Sequence, residues 1–209
     1  SRAASVARPK RFGLKAKDLL GIPWRLAFAL QDAGWWLRQD IIWHKPNPMP
    51  ESVTDRCTKS HEYVFLLTKK ARYYYDAGAI AEVGAGRIDL GTMKFGGRLG
   101  GDSGWHNDGG NREVGSTRNK RSVWTIATEP TPFAHFATMP TELVKPCILA
   151  GSREGDTVLD PFCGSGTTGM VALRHGRNFI GIELNPEYVT LATNRIVNDA
   201  PLFNLEATA

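Results

Sequence analysis

A glycine-rich turn flanked by two carboxylates lies in the last third of the chain. Gly164, Gly166 and Gly169 fit the GxGxxG spacing, after a predicted buried strand and at the start of a predicted helix. Glycines let the backbone turn tightly and approach a ligand, and the helix offers unpaired N–H groups. Glu183 ends the next predicted strand, 19 residues after Gly164. Because a carboxylate there accepts hydrogen bonds from ribose hydroxyls, the pattern predicts a site for an adenosine-containing cofactor.

Asp160 and Phe162 bear on which cofactor this turn binds. Asp160 stands four residues before Gly164, where a dinucleotide would place its pyrophosphate. A carboxylate repels phosphate, so it favours a cationic ligand such as the ammonium group of S-adenosylmethionine over NAD. Phe162 is expected to pack against the adenine or the methionine chain. The alternative is structural: Asp160 only caps the turn, and Phe162 belongs to the core.

The elements around this turn predict a βαβα unit, and therefore a parallel sheet covered by helices. The unit comprises strand 156–162, helix 167–176, strand 178–184 and helix 185–200. Farther upstream, a helix at 21–34 precedes two strands at 35–45 and 61–69, which are rich in aromatic and β-branched residues. Another helix is predicted at 139–151, with Thr138 as a candidate cap. Pro146 implies a kink or a broken turn within that helix.

Residues 77–122 differ in composition from the rest of the chain. Twelve of the 22 glycines fall there, and no apolar periodicity is present. A connection of that length is either functional or a solvated, mobile loop. Its arginines and lysines make it a candidate DNA-contact region.

Composition excludes several classes of protein. The net charge is +5 with a pI near 9.2, which permits nucleic-acid binding. No apolar run approaches the roughly 20 residues that span a bilayer. The three cysteines form neither a metal-binding pair nor a disulfide framework. We therefore expect a cytoplasmic protein with no metal and no membrane partner.

The motifs together identify a family resemblance. The run from Asp160 to Thr168, followed by Gly181-Ile182-Glu183, resembles the cofactor motif of DNA methyltransferases that modify N6 of adenine or N4 of cytosine. The stretch 135–152 resembles the motif ahead of it in the permuted, β-type subgroup, and 36–76 is similar to the middle region of those enzymes. The order of these segments makes coincidence an inadequate explanation.

This resemblance implies an α/β fold with the Rossmann-like, doubly wound sheet of S-adenosylmethionine-dependent methyltransferases and an antiparallel edge hairpin. Residues 1–209 would form the C-terminal part of a methyltransferase domain, with 77–122 as an inserted target-recognition loop. The expected partner is double-stranded DNA, the expected source bacterial or phage, and a homodimer is left open. The implied cofactor contacts are His135, Phe136, Ala137, Met139, Pro140, Asp160, Phe162, Cys163, Gly164, Ser165, Gly166, Thr167, Glu183, Leu184 and Asn185. The implied DNA contacts are Arg87, Lys94, Arg98, Arg112, Arg118, Lys120 and Arg121.

One element of the family pattern is absent from this sequence. The family carries out transfer at an Asp/Ser-Pro-Pro-Tyr/Phe/Trp tetrapeptide, and no segment of the chain matches it. No catalytic residue is therefore identified, and we expect an incomplete sheet with a hydrophobic gap. An omitted or separately encoded N-terminal part is the favoured interpretation. The alternative function is a catalytically incomplete cofactor- or DNA-binding subunit that needs a partner chain.

Overall fold

The computed structural model describes residues 13–84, 117–130 and 139–199. Within these ranges helices and strands are interspersed, as expected for the predicted α/β class. None of the described helices combines the length and apolar character needed to cross a bilayer. The elements are α1 (Ile22–Asp32), β1 (Trp36–His44), β2 (His61–Thr68), β3 (Glu82–Val83), β4 (Thr117–Arg118), β5 (Val123–Thr125), α2 (Thr141–Gly151), β6 (Thr157–Asp160), α3 (Thr167–Arg174), β7 (Asn178–Gly181) and α4 (Pro186–Asp199).

Strands β1 and β2 form the antiparallel hairpin that the sequence predicts. Their register pairs Ile42 with Tyr63, with an irregularity between Leu37 and Gln39. β5 runs parallel to β1 on its other edge, which gives a sheet of order β2-β1-β5. Because they are parallel, β1 and β5 have their C-terminal ends at the same end of the sheet.

Helix α1 covers one face of this hairpin through aromatic contacts. The ring of Trp24 lies 5.5 Å from that of Tyr63 and 5.0 Å from that of Phe65, both edge to face. Such pairs add stability beyond the area that they bury. Ala27, one helical turn along, is buried. Gly34, with a φ of +89°, follows the end of the helix, so the predicted stop is confirmed.

The predicted βαβα unit is present at 157–199. β6 and β7 pair in parallel, with Val158 opposite Phe179. A Cβ placed on Gly169 of α3 would lie 2.6 Å from both Ile196 of α4 and Phe179 of β7. The third glycine of the motif therefore lets α3 pack closely against its neighbours.

Helix α2 packs against the β2-β1-β5 sheet and against the βαβα unit. Leu143 joins a buried cluster with Trp43 and Trp124 of the first sheet. Val144 and Ile148 join a second cluster, with Val171 of α3 among its buried members. The helix begins at Thr141, two residues after the predicted start, and it continues through the buried Pro146 without a break. The broken turn predicted there is therefore not observed.

The sheet that the family implies is not continuous across the described residues. β6 pairs only with β7, and β2 pairs only with β1. Between these two pieces lies a cavity of about 370 Å³ lined by side chains of β2, α2 and β6, including Val64, Leu143 and Val158. Leu159 and Ile180 remain more than half exposed. This arrangement agrees with the expected hydrophobic gap.

The two described ends of segment 77–122 pair with each other. β3 and β4 form an antiparallel ribbon in which Glu82 lies opposite Arg118. The sequence offered no periodicity that would predict this ribbon. The role of the segment in target recognition stays a prediction, because most of it lies outside the described residues.

Candidate cofactor-binding loop

The glycine-rich loop links the end of β6 to the start of α3 with a tightly turned backbone. Gly164 and Gly166 have φ values of +53° and +80°. A Cβ on Gly166 would lie 2.9 Å from the Cβ of Ala192 in α4. Glycine is required at this position for two reasons: residues with a side chain disfavour a positive φ, and α4 leaves no room for a side chain.

Glu183 holds this loop against the end of β7. Its Oε2 accepts a hydrogen bond of 2.9 Å from the backbone N–H of Gly164, and its Oε1 accepts one of 2.9 Å from that of Asn185. The predicted ribose-binding carboxylate is therefore fixed by backbone donors on both sides. Asn185 in turn accepts a hydrogen bond from the N–H of Glu187, as expected for the cap of α4.

Asp160 caps the turn that follows β6. Its Oδ1 accepts a 3.0 Å hydrogen bond from the N–H of Phe162, and its Oδ2 accepts a 2.7 Å bond from the hydroxyl of Thr168. The structural role considered from the sequence is thus present. It does not exclude ligand binding, since a carboxylate offers about four acceptor positions and these contacts use two.

The two carboxylates come together at Cys163. Burial raises the pKa of the Cys163 thiol, and the negative charges of Asp160 and Glu183 raise it further. Backbone hydrogen bonds from Ile182 to Asp160 and from Cys163 to Ile182 continue the pairing of the two strands beyond their ends. The charges of both carboxylates therefore act on the same residue of the loop.

Two large apolar side chains beside the loop are exposed. Phe162 is 88% exposed and Leu184 97% exposed, so the alternative that Phe162 belongs to the core is wrong. Ser165 of the loop and Thr167 at the start of α3, by contrast, are buried. Both side chains that are exposed, Phe162 and Leu184, are therefore accessible to a ligand at the loop.

The second segment implied by the resemblance is described only in part. His135, Phe136 and Ala137 lie outside the described residues. Met139 is 44% exposed and lines the cavity between the two sheets, together with Thr168. Pro140 is fully buried. The structure therefore brings Met139 to the helix that follows the glycine-rich loop.

Sequence reasoning missed two side chains at this site. Glu129 accepts hydrogen bonds from the N–H and the hydroxyl of Thr141, the first residue of α2. Arg195 of α4 donates a hydrogen bond to the carbonyl oxygen of Ser165. Neither residue belongs to a local motif, and each contacts a residue distant in the chain. No signal in a single sequence identifies such pairs.

The described candidates for DNA contact are largely engaged within the protein. Arg121 and Arg118 both pair with Glu82, at 2.9 and 3.3 Å. Lys120 lies over the ring of Trp124, 5.3 Å from its centroid. Arg87, Lys94, Arg98 and Arg112 lie outside the described residues. All seven contacts with DNA stay predictions.

The loop after β1 is also tied down by internal contacts. Lys45 pairs with Glu62 and lies over the ring of Trp43, and Asn47 binds Thr128.

Among the residues that the structure describes, no cluster of histidine, cysteine or acidic side chains is arranged to hold a metal ion.

Comparison with known proteins matches the chain to one family along most of its length. The profile of a family described as DNA methylase, covering N6 and N4 methyltransferases, matches residues 6–194. The type II methyltransferase M.Cfr9I of Citrobacter freundii is 50% identical over 196 residues, which are 94% of this chain and 56% of M.Cfr9I. M.SmaI of Serratia marcescens is 49% identical over 197 residues, with 94% and 58% covered. The chain thus spans little more than half the length of these relatives.

A solved structure of the M1.HpyAVI–SAM complex has the same fold. Its TM-score is 0.58 at 24% sequence identity, and the match covers 85% of this chain and 71% of that one. At this identity the likeness supports the Rossmann-like methyltransferase fold class alone.

Proposed function

Because the chain belongs to the DNA methylase family, we propose that it binds S-adenosylmethionine and serves an enzyme that methylates an exocyclic amine of DNA. The observation that carries this proposal is the glycine-rich loop between Asp160 and Glu183. Both carboxylates reach the same short loop, and the backbone between them turns through two positive-φ glycines. Two carboxylate acceptors in this arrangement fit a ligand with an ammonium group at one end and ribose hydroxyls at the other.

We assign the roles by chemistry. Asp160 would accept a hydrogen bond from the ammonium group of the methionine end, and Glu183 would accept bonds from the ribose hydroxyls. Phe162, exposed beside the loop, would cover the adenine or the methionine chain. When bound, S-adenosylmethionine supplies a methyl group made transferable by the positive charge on its sulfur. The protein's part is to orient this donor and to exclude water from it.

The activity on DNA is proposed for the protein as a whole. The tetrapeptide expected to hold the target amine is not in this sequence, and the relatives are longer than the span that the chain matches. The segment 77–122 is the proposed target-recognition region, on double-stranded DNA. Its basic character and the ribbon that joins its two ends support this assignment. The choice between adenine N6 and cytosine N4 is left open.

Calorimetric titration with S-adenosylmethionine, and separately with NAD, tests the proposal. We expect binding of S-adenosylmethionine only. Asp160→Ala and Glu183→Gln should each weaken that binding by at least about tenfold, or about 1.4 kcal/mol. Glu183→Gln keeps one acceptor oxygen for the loop, which limits the structural damage.

Glu187→Gln is the matched control. Glu187 lies in the first turn of α4, close to the site in sequence, and among the described residues its carboxylate accepts no hydrogen bond from the loop. Its affinity should equal that of the wild type. Unchanged affinity in both Asp160→Ala and Glu183→Gln, or tighter binding of NAD, would overturn the assignment of the pocket.

A further inference from the structure

Helix α2 is capped by a residue that lies outside it. Its N-cap, Pro140, offers no side-chain hydrogen bond to the helix. Glu129, 12 residues before Thr141, fills that role. Its carboxylate accepts from the Thr141 N–H at 3.2 Å and from the Thr141 hydroxyl at 3.0 Å. A carboxylate at this end also opposes the positive end of the helix dipole.

The backbone just before Glu129 is fixed to the first sheet. Asn47, which follows β1, uses both ends of its amide on Thr128: it donates to the hydroxyl at 3.0 Å and accepts from the N–H at 3.1 Å. The indole N–H of Trp43 donates to the carbonyl of Ile126 at 2.8 Å. Glu129 therefore reaches α2 from a segment that is hydrogen-bonded to β1 and to the loop that follows it.

Glu129 also interacts electrostatically with the side chain that supports the glycine-rich loop. Arg195 donates to the carbonyl of Ser165 in that loop. Burial lowers the pKa of the Arg195 guanidinium, and the charges of Asp199 and Glu129 act against this lowering. Glu129 and Arg195 are therefore near enough for their charges to interact.

We propose that Glu129 is a positioning residue of the cofactor site. By fixing Thr141, it sets where Met139 and Pro140 lie relative to the start of α3, whose Thr168 lines the same cavity as Met139. This inference rests on the proposed function, since it concerns the same cofactor. It assigns Glu129 no contact with the reacting atoms.

The test compares variants of the full protein by calorimetry and by steady-state kinetics of DNA methylation. Glu129→Ala should raise the Kd and the KM for S-adenosylmethionine roughly tenfold, the size expected when a positioning contact is lost. The KM for DNA, and kcat at saturating cofactor, should change less than twofold. Glu129→Gln keeps an acceptor for Thr141 and should recover part of the lost affinity.

Glu142→Gln is the matched control, because Glu142 is an exposed acid in the same first turn of α2. It should leave every parameter unchanged. A purely structural role of Glu129 would lower the melting temperature and the active fraction without raising the KM for the cofactor, and that result would overturn the inference.

A second pair of variants keeps the test decisive if Glu129→Ala folds poorly. Thr141→Ser retains the hydroxyl and should behave as wild type, whereas Thr141→Val removes it and should raise the KM for S-adenosylmethionine. Equal KM values in the two would refute the inference. A wild-type protein that does not bind S-adenosylmethionine at all would overturn the proposed function itself, and the inference with it.

Discussion

Replacing Gly166 with alanine should destabilise the protein through two separable effects. The residue has a φ of +80°, and a left-handed conformation costs a residue with a Cβ about 1–2 kcal/mol. The added Cβ would also lie 2.9 Å from the Cβ and 3.1 Å from the Cα of Ala192. Because the Cα is backbone, relief requires α4 to shift, and overpacking of this kind costs about 1–3 kcal/mol. The sum is about 2–5 kcal/mol.

Gly155→Ala separates the two effects. Gly155 has nearly the same φ, +82°, but no atom lies within 4 Å of a Cβ placed on it. It should therefore lose only the conformational share of about 1–2 kcal/mol. The difference between the two variants isolates the clash with α4.

Urea denaturation of the two variants and the wild type, followed by circular dichroism, measures these losses. Gly166→Ala should unfold at a lower urea concentration than Gly155→Ala, and it should also bind S-adenosylmethionine more weakly. Equal midpoints would refute the claim that α4 limits the loop. In that case the glycine would be needed only for its backbone conformation.

Two further predictions concern titration. Burial and the charges of Asp160 and Glu183 raise the pKa of Cys163, so its alkylation at neutral pH should be slower than that of the exposed Cys57. Because Glu183→Gln removes one of these charges, it should shift the pH profile of the Cys163 alkylation rate to lower pH. An unshifted profile, measured by mass spectrometry, would contradict this. Desolvation opposes ionisation of Glu82, but hydrogen bonds from Arg121 and the charges of Arg121 and Arg118 outweigh it, so the pKa of Glu82 is lowered. The stability it contributes should be present above its unfolded pKa and lost as the pH falls through the lower, folded one. The difference in melting temperature between the wild type and Glu82→Gln should therefore vanish in acid, and a constant difference would contradict the ion pairs.

The parts of the fold that the sequence predicted are those with local signals. Asn185 caps α4 through a bond to a residue two positions away, and Gly34 follows the end of α1 with a positive φ. The GxGxxG spacing likewise specifies a turn between a strand and a helix that are adjacent in the chain. In each of these cases the contacts that define the structure lie within a few residues.

The parts that sequence reasoning missed depend on contacts between distant residues. Pro140 marks the start of α2 to within a residue or two, but the cap that its first N–H receives comes from Glu129, 12 residues earlier, and no local pattern indicates that contact. β3 finds its partner strand beyond a glycine-rich segment that has no periodicity. Pro146 does not break α2, since the packing of that helix against both sheets outweighs the hydrogen bond that proline cannot donate.

At Asp160, the sequence could not show that a structural role and a ligand-binding role are compatible. The sequence offered a choice between a structural and a ligand-binding role for Asp160, as if one excluded the other. The hydrogen bonds from Phe162 and Thr168 fix the orientation of its carboxylate. A carboxylate held in this way loses little further conformational entropy when it accepts a hydrogen bond from a ligand. Under the proposed assignment, the capping contacts would therefore preorganise Asp160 as an acceptor for a cationic ligand.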